Sequence, residues 1–281
     1  MADAKSAPDA ARMRGDGFWV RAASSLVLIP IVLAAVFAGG RVFAALVAFA
    51  AIVMIFEWTR MVERRELSPA FYVLAVTAGG ALALGAGGAY PWAYLTCVAG
   101  GAGAFFVAGR KGGDVTVSPA WPAAAAFYIV APSIALLWLR LDVENGRALT
   151  FFLYAAVWAG DTGAYTVGKL IGGPKLSPVL SPGKTWAGLF GGVGAGALAG
   201  VAAAGFFDAH VLLMALCGAG LGGASVIGDM IESASKRRFG VKDVSGFIPG
   251  HGGALDRMDG MILATTAMTA MLFAYMLAGK F

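Results

Sequence analysis

Charge is scarce in this sequence: Asp, Glu, Lys and Arg make up 13% of its 281 residues, against roughly a quarter in an ordinary soluble domain. A chain with so little charge, and with 59% hydrophobic residues, cannot shield its apolar surface from water by folding alone. Cysteine is scarcer still. Cys97 and Cys217 both sit inside apolar runs, so they read as two small core residues and not as a disulfide or a metal site. Acidic residues number 16 against 21 Lys and Arg, a formal net charge of +5. On a chain this apolar, the excess marks loops that face an anionic leaflet, and no nucleic-acid partner is expected.

What the sequence has instead is apolar length, in runs that match the roughly 20 residues of one helical bilayer crossing. Gly, 41 residues, and Ala crowd these runs, which lets membrane helices approach closely. Interleaved Leu, Phe, Trp and Met exclude a low-complexity segment. The expected fold is all-α, a polytopic membrane protein of about nine transmembrane helices. They are placed near 22–38, 42–57, 71–87, 91–109, 119–139, 148–168, 187–207, 211–229 and 258–279. Residues 1–21 read as a cytoplasmic polar tail, 22–147 as N-terminal transmembrane helices and 148–281 as the C-terminal catalytic transmembrane region. The long polar lead and the later spans argue against a signal-peptide core at 22–38.

With these spans, Arg41, Arg140, Arg147 and Lys280 fall on one side of the membrane and the other Lys and Arg on the opposite side. Such asymmetry sets the N-terminus in the cytoplasm and the C-terminus outside, as an odd number of spans requires. It also puts the candidate catalytic loops on the cytoplasmic side of an inner (plasma) membrane, where nucleotides are.

The charge that the chain does carry is concentrated in GDMIESASKRRFGVKDVSGFIPGHGGALDRMDG, from Gly228. Asp229 and Glu232 are three apart, so a continuing helix presents both carboxylates on one face. Asp256 and Asp259 repeat that spacing. Two carboxylate pairs on adjoining helices suit Mg2+, with room for a second cation, because magnesium takes carboxylate oxygens together with substrate phosphates. Between the pairs lie Lys236, Arg237, Arg238 and Lys242, with Arg257 beyond, enough cationic donors for a polyphosphate. Pro249, Gly250, His251, Gly252 and Gly253 then lead into the last span, and their backbone N–H groups could also meet phosphate. Taken singly, each part has a plainer reading. Lys236 to Arg238 could be a topology signal, His251 a loop hydrogen-bonder, and Asp256 or Asp259 a helix cap. Paired carboxylates at a membrane edge with cations between them are costly for a structural loop, and this combination points to a phosphate and metal site.

Two further segments could face that site. Asp161, in Gly160-Asp161-Thr162-Gly163, is an acidic residue inside an apolar run. Ser181-Pro182-Gly183-Lys184-Thr185 offers Ser181, Lys184 and Thr185 as phosphate contacts. It is no Walker loop, because Val179 stands where the earlier glycine belongs and no strand is expected before it.

The stretch from Ser233 to Asp259 resembles the signature of the phosphatidate cytidylyltransferase (CDP-diacylglycerol synthase) family. Ser233, Lys236-Arg237, Lys242-Asp243, Pro249, His251-Gly252-Gly253, Asp256-Arg257 and Asp259 take its places in order. The segments at Gly160-Asp161 and Ser181 to Thr185 are also similar to the family's. Gly183 and Ala187 depart from the Lys and Glu of many members, and Ser235 and Ala254 from larger apolar residues. The resemblance implies transfer of CMP from CTP to phosphatidic acid, releasing pyrophosphate. It assigns metal binding to Asp229 and Asp256, with Asp259 and Asp161 as second choices. Lys236, Arg237, Lys242 and Arg257 then hold the phosphate-bearing substrates, and Asp243 orients Lys242 or the cytosine amino group. The nucleophile is already an anion, so His251 positions rather than acts as a strong base. CTP, phosphatidic acid, membrane lipids and a second copy of the chain, as a homodimer, are the expected partners. An ion-coupled transporter is the reading from another class; it predicts a repeated half, and no second copy of the Gly250 to Asp259 pattern is present.

Overall fold

The structure is a computed structural model that describes residues 24–110, 117–242, 244–245 and 252–279. Its helices follow the apolar runs: α1 (Ser24–Ala38), α2 (Gly40–Glu63), α3 (Pro69–Ala86), α4 (Tyr90–Gly109), α5 (Ala120–Ala125), α6 (Ala131–Leu141), α7 (Gly146–Ile171), α8 (Trp186–Phe207), α9 (Val211–Arg238) and α10 (Leu255–Leu277). A π-helical turn, Ala126–Val130, joins α5 to α6 in one rod. Pro132, without an N–H, cannot serve the carbonyl four residues back at Tyr128, and the wider turn accommodates that gap.

Among the described residues, seven rods are long and apolar enough to cross a membrane. The other two helices are α1, described over a shorter apolar length, and α7, which carries Arg147, Asp161 and Lys169. The molecule is thus an all-α polytopic membrane protein, and the count of nine depends on those two. Several helices also continue past the expected span ends. α2 runs on to Glu63, α9 runs through Asp229 to Arg238, and α10 begins at Leu255. Hydropathy ends these spans near charged residues, but backbone hydrogen bonding does not stop where hydropathy falls.

The expectation of no strand before Gly183 is corrected by a small hairpin. β1 (Lys175–Ser177) pairs antiparallel with β2 (Ser181–Thr185), Lys175 opposite Thr185 and Ser177 opposite Ser181. The Gly183-Lys184-Thr185 run therefore lies in an extended strand and not in a loop wrapped around a phosphate.

Small residues set how closely the C-terminal helices pack. The buried positions of α8 are Gly188, Gly192, Gly196, Gly200 and Ala204, one every fourth residue. This stripe lets α8 lie against α7 and α9 almost backbone to backbone: a Cβ on Gly188 would come within 2.9 Å of the Ala164 carbonyl oxygen on α7, and one on Gly196 within 3.1 Å of Gly222 Cα on α9. The close approach draws the polar residues of α7, β2 and α9 together.

Candidate active site

Asp229 is nine residues before the C-terminal end of α9, roughly 14 Å inside it at 1.5 Å per residue. Gly228 brings α10 against this level of α9, since a Cβ there would lie 2.5 Å from the Asp259 carbonyl oxygen. The Asp229 and Asp259 side chains are consequently neighbours. Asp259 is 7% exposed, and its Oδ1 accepts the Gly260 N–H at 2.7 Å. On the α8 side, Lys184 Nζ of β2 lies 2.9 Å from Asp229 Oδ2 and also donates to the Val226 carbonyl at 3.4 Å. From α7, Asp161 Oδ1 accepts the Ser225 hydroxyl at 2.6 Å.

Two turns further along α9, Lys236 is held between two carboxylates, Glu232 Oε2 at 2.7 Å and Asp256 Oδ1 at 2.8 Å. The other oxygen of Asp256 accepts the Gly253 N–H at 2.9 Å. Asp256 is therefore both a helix-terminal acceptor and the partner of Lys236, and it is Asp259 that meets Asp229. The Gly253 N–H is engaged by Asp256 in this arrangement.

The remaining sequence candidates are spread more widely. Thr185 is buried, and its hydroxyl accepts the Gly188 N–H at 3.0 Å as the N-cap of α8. Ser181 opens β2. Arg237 is exposed and donates to the Val241 carbonyl at 3.4 Å, Lys242 is exposed, and Arg257 is exposed at the first turn of α10. Gly252 has φ +83°, a left-handed conformation that glycine adopts at no steric cost. Asp243, Pro249, Gly250 and His251 lie outside the described residues.

Two residues at the site were not picked out from the sequence. Glu57 of α2 is fully buried and accepts the N–H groups of Ala254, at 3.0 Å, and Leu255, at 2.7 Å, together with the Ser245 hydroxyl. Ala254, the N-cap residue of α10, has no side-chain capping bond of its own, so a carboxylate from a distant helix does the capping. The sequence signal is an acidic residue in an apolar run, as with Asp161, but a span that ends at residue 57 makes Glu57 an edge charge. Tyr128, in the π-helical turn, has a buried hydroxyl with no hydrogen-bond partner among the described residues. It lies within electrostatic reach of Asp259, Glu232 and Asp229. Nothing in the sequence separates it from the other tyrosines of apolar runs.

Among the described residues no three His, Cys, Asp or Glu side chains form a preformed metal cage. Magnesium commonly takes one or two carboxylates and completes its shell with water and substrate phosphates, and the facing Asp229 and Asp259 supply hard oxygen donors of that kind.

The model of a family described as the cytidylyltransferase family matches residues 19–275. The phosphatidate cytidylyltransferases of Brucella suis biovar 1 and Brucella melitensis biotype 1 are each 35% identical to this chain over 257 residues, 88% of the chain and 90% of the relative. That of Haemophilus influenzae is 37% identical over 155 residues, 50% of this chain and 52% of the relative.

Proposed function

The chain belongs to the cytidylyltransferase family, and from this we infer that it transfers CMP from CTP to phosphatidic acid, giving CDP-diacylglycerol and pyrophosphate. The observation that carries the reading to these residues is the convergence of the Lys184–Asp229 pair, the Asp229–Asp259 contact and the Lys236 bridge on the facing parts of β2, α9 and α10. In the reaction a phosphate oxygen of phosphatidic acid bonds to the α-phosphorus of CTP. The bond from that phosphorus to the β-phosphate oxygen breaks, and pyrophosphate leaves with the electron pair. Such a transfer asks the protein for in-line positioning and charge neutralisation and for little covalent help.

Lys184 and Lys236 supply positive charge on two sides of the carboxylate group. Each is already aligned by carboxylates, so little reorganisation accompanies substrate binding. Arg257, in the first turn of α10, faces the lipid substrate. The Tyr128 hydroxyl, without a hydrogen-bond partner among the described residues, can donate to a phosphate oxygen that enters the space beside Asp229 and Asp259. Asp229 and Asp259 would hold magnesium, with Asp161 beside them. Magnesium, when bound, neutralises phosphate oxygens and increases the electrophilicity of the α-phosphorus.

The asymmetry of Lys and Arg supports a site that opens to the cytoplasm from a bacterial inner membrane. The test is an assay of the purified protein with CTP, phosphatidic acid and magnesium. CDP-diacylglycerol and pyrophosphate formed in equal amounts are expected, and a well-folded protein that forms neither would overturn the reading.

A further inference from the structure

A cavity of about 420 Å³ lies between α1, α2, α7 and α10, within the roughly 300–1,000 Å³ of small-molecule sites. Leu28 and Val32 of α1, Leu46 and Ala50 of α2, Val157 of α7 and Met261 of α10 line it. Along α2 it reaches from Phe43 to Met54, about 16 Å of helix at 1.5 Å per residue. At one end the lining changes character, to Asp161, Arg257 and Asp259. The cavity is thus a long apolar slot whose polar end is the catalytic site. Its outer wall includes Leu28 at 40% exposure and Phe49 at 59%, so it opens on the side of the bundle that faces lipid.

We propose that this slot takes one acyl chain of the phosphatidic acid, with the lipid phosphate at Arg257 and the chain running along α2 toward Phe43. The proposal rests on the activity inferred above and adds where the lipid sits. Every α1 and α2 residue in the lining is apolar except Ser25. A nucleotide laid against that wall would leave its polar atoms without partners, which is costly, whereas a hydrocarbon chain loses nothing there. The cationic Arg257 at the catalytic end suits the one anionic part of a phosphatidic acid, its phosphate.

The test is KM for dioleoyl and for dihexanoyl phosphatidic acid, with CTP saturating, in the purified full chain and in Leu46→Trp, which fills the slot far from the polar end. KM for the dioleoyl lipid should rise about tenfold, equivalent to roughly 1.4 kcal/mol of lost packing between chain and slot. KM for the dihexanoyl lipid and for CTP should stay within about twofold. Ala50→Phe, one helical turn nearer the polar end, keeps the test open if Leu46→Trp does not fold, and it too should raise KM more for the dioleoyl than for the dihexanoyl lipid. Equal effects on both lipids, or an effect on neither, would overturn the acyl-chain site while leaving the activity intact. A wild-type protein inactive on both lipids would overturn the activity itself.

Discussion

Glu57 Oε2 accepts the backbone N–H of Leu255 at 2.7 Å, a bond between residues 198 apart in sequence. The carboxylate that caps α10 thus comes from α2, and it sets the level at which Asp256 and Asp259 enter the site. Glu57→Ala would leave the Ala254 and Leu255 N–H groups buried without an acceptor, at roughly 1–3 kcal/mol for each unsatisfied group. The expected outcome is a lower unfolding temperature and strongly reduced turnover, with Glu57→Gln intermediate because it keeps one acceptor oxygen. Gly253→Ala should resemble Glu57→Ala, since a Cβ there would lie 2.8 Å from both Glu57 oxygens. Thermal unfolding in detergent together with CTP incorporation checks this, and a Glu57→Ala protein with wild-type values of both would sink the capping role.

Lys184 and Asp229 are partly exposed, with side chains 24% and 36% accessible, so their pairing contributes little to stability, about 1 kcal/mol or less. Lys184→Ala should accordingly unfold near the wild-type temperature. Its kcat/KM for CTP should nonetheless fall about a hundredfold, equivalent to roughly 2.7 kcal/mol of lost transition-state stabilisation. Should stability and kcat/KM decline together, Lys184 would be a packing residue and not a substrate contact.

Asp256→Asn keeps an acceptor for the Gly253 N–H and loses the charge that holds Lys236. The variant is expected to insert and purify normally while incorporating almost no labelled CTP into lipid. Near-normal turnover would remove Asp256 from the site.

Asp259→Asn addresses the metal. Chelation of divalent cations should abolish wild-type activity and magnesium should restore it, and this variant should need about tenfold or more additional magnesium for half-maximal rate. An unchanged magnesium dependence would place the cation elsewhere.

Tyr128→Phe removes only a hydroxyl that has no hydrogen-bond partner among the described residues. An unsatisfied buried polar group is a cost to the fold, so the variant should be at least as stable as wild type. If substrate phosphate supplies the missing partner, turnover should fall about tenfold or more. Unchanged turnover would leave Tyr128 as a packing residue beside Trp58, whose ring lies 5.3 Å away.

Composition and run length by themselves determined that this is an all-α membrane protein, because the lack of charge leaves no other way to solvate so much apolar surface. The charged run from Asp229 to Asp259, with its motif order, determined which family it resembles and which segment carries the chemistry. Local spacing could not decide which carboxylate meets which. The resemblance puts Asp229 and Asp256 first as metal ligands, and the crossing of α9 and α10 at Gly228 adds that Asp259 lies beside Asp229 while Asp256 bridges to Lys236. Only the tertiary structure could bring in Glu57 and Tyr128, on rods far away in sequence, because side-chain partnership depends on helix rotation and depth. Those follow from packing between small residues across helices, which no spacing within a single run encodes.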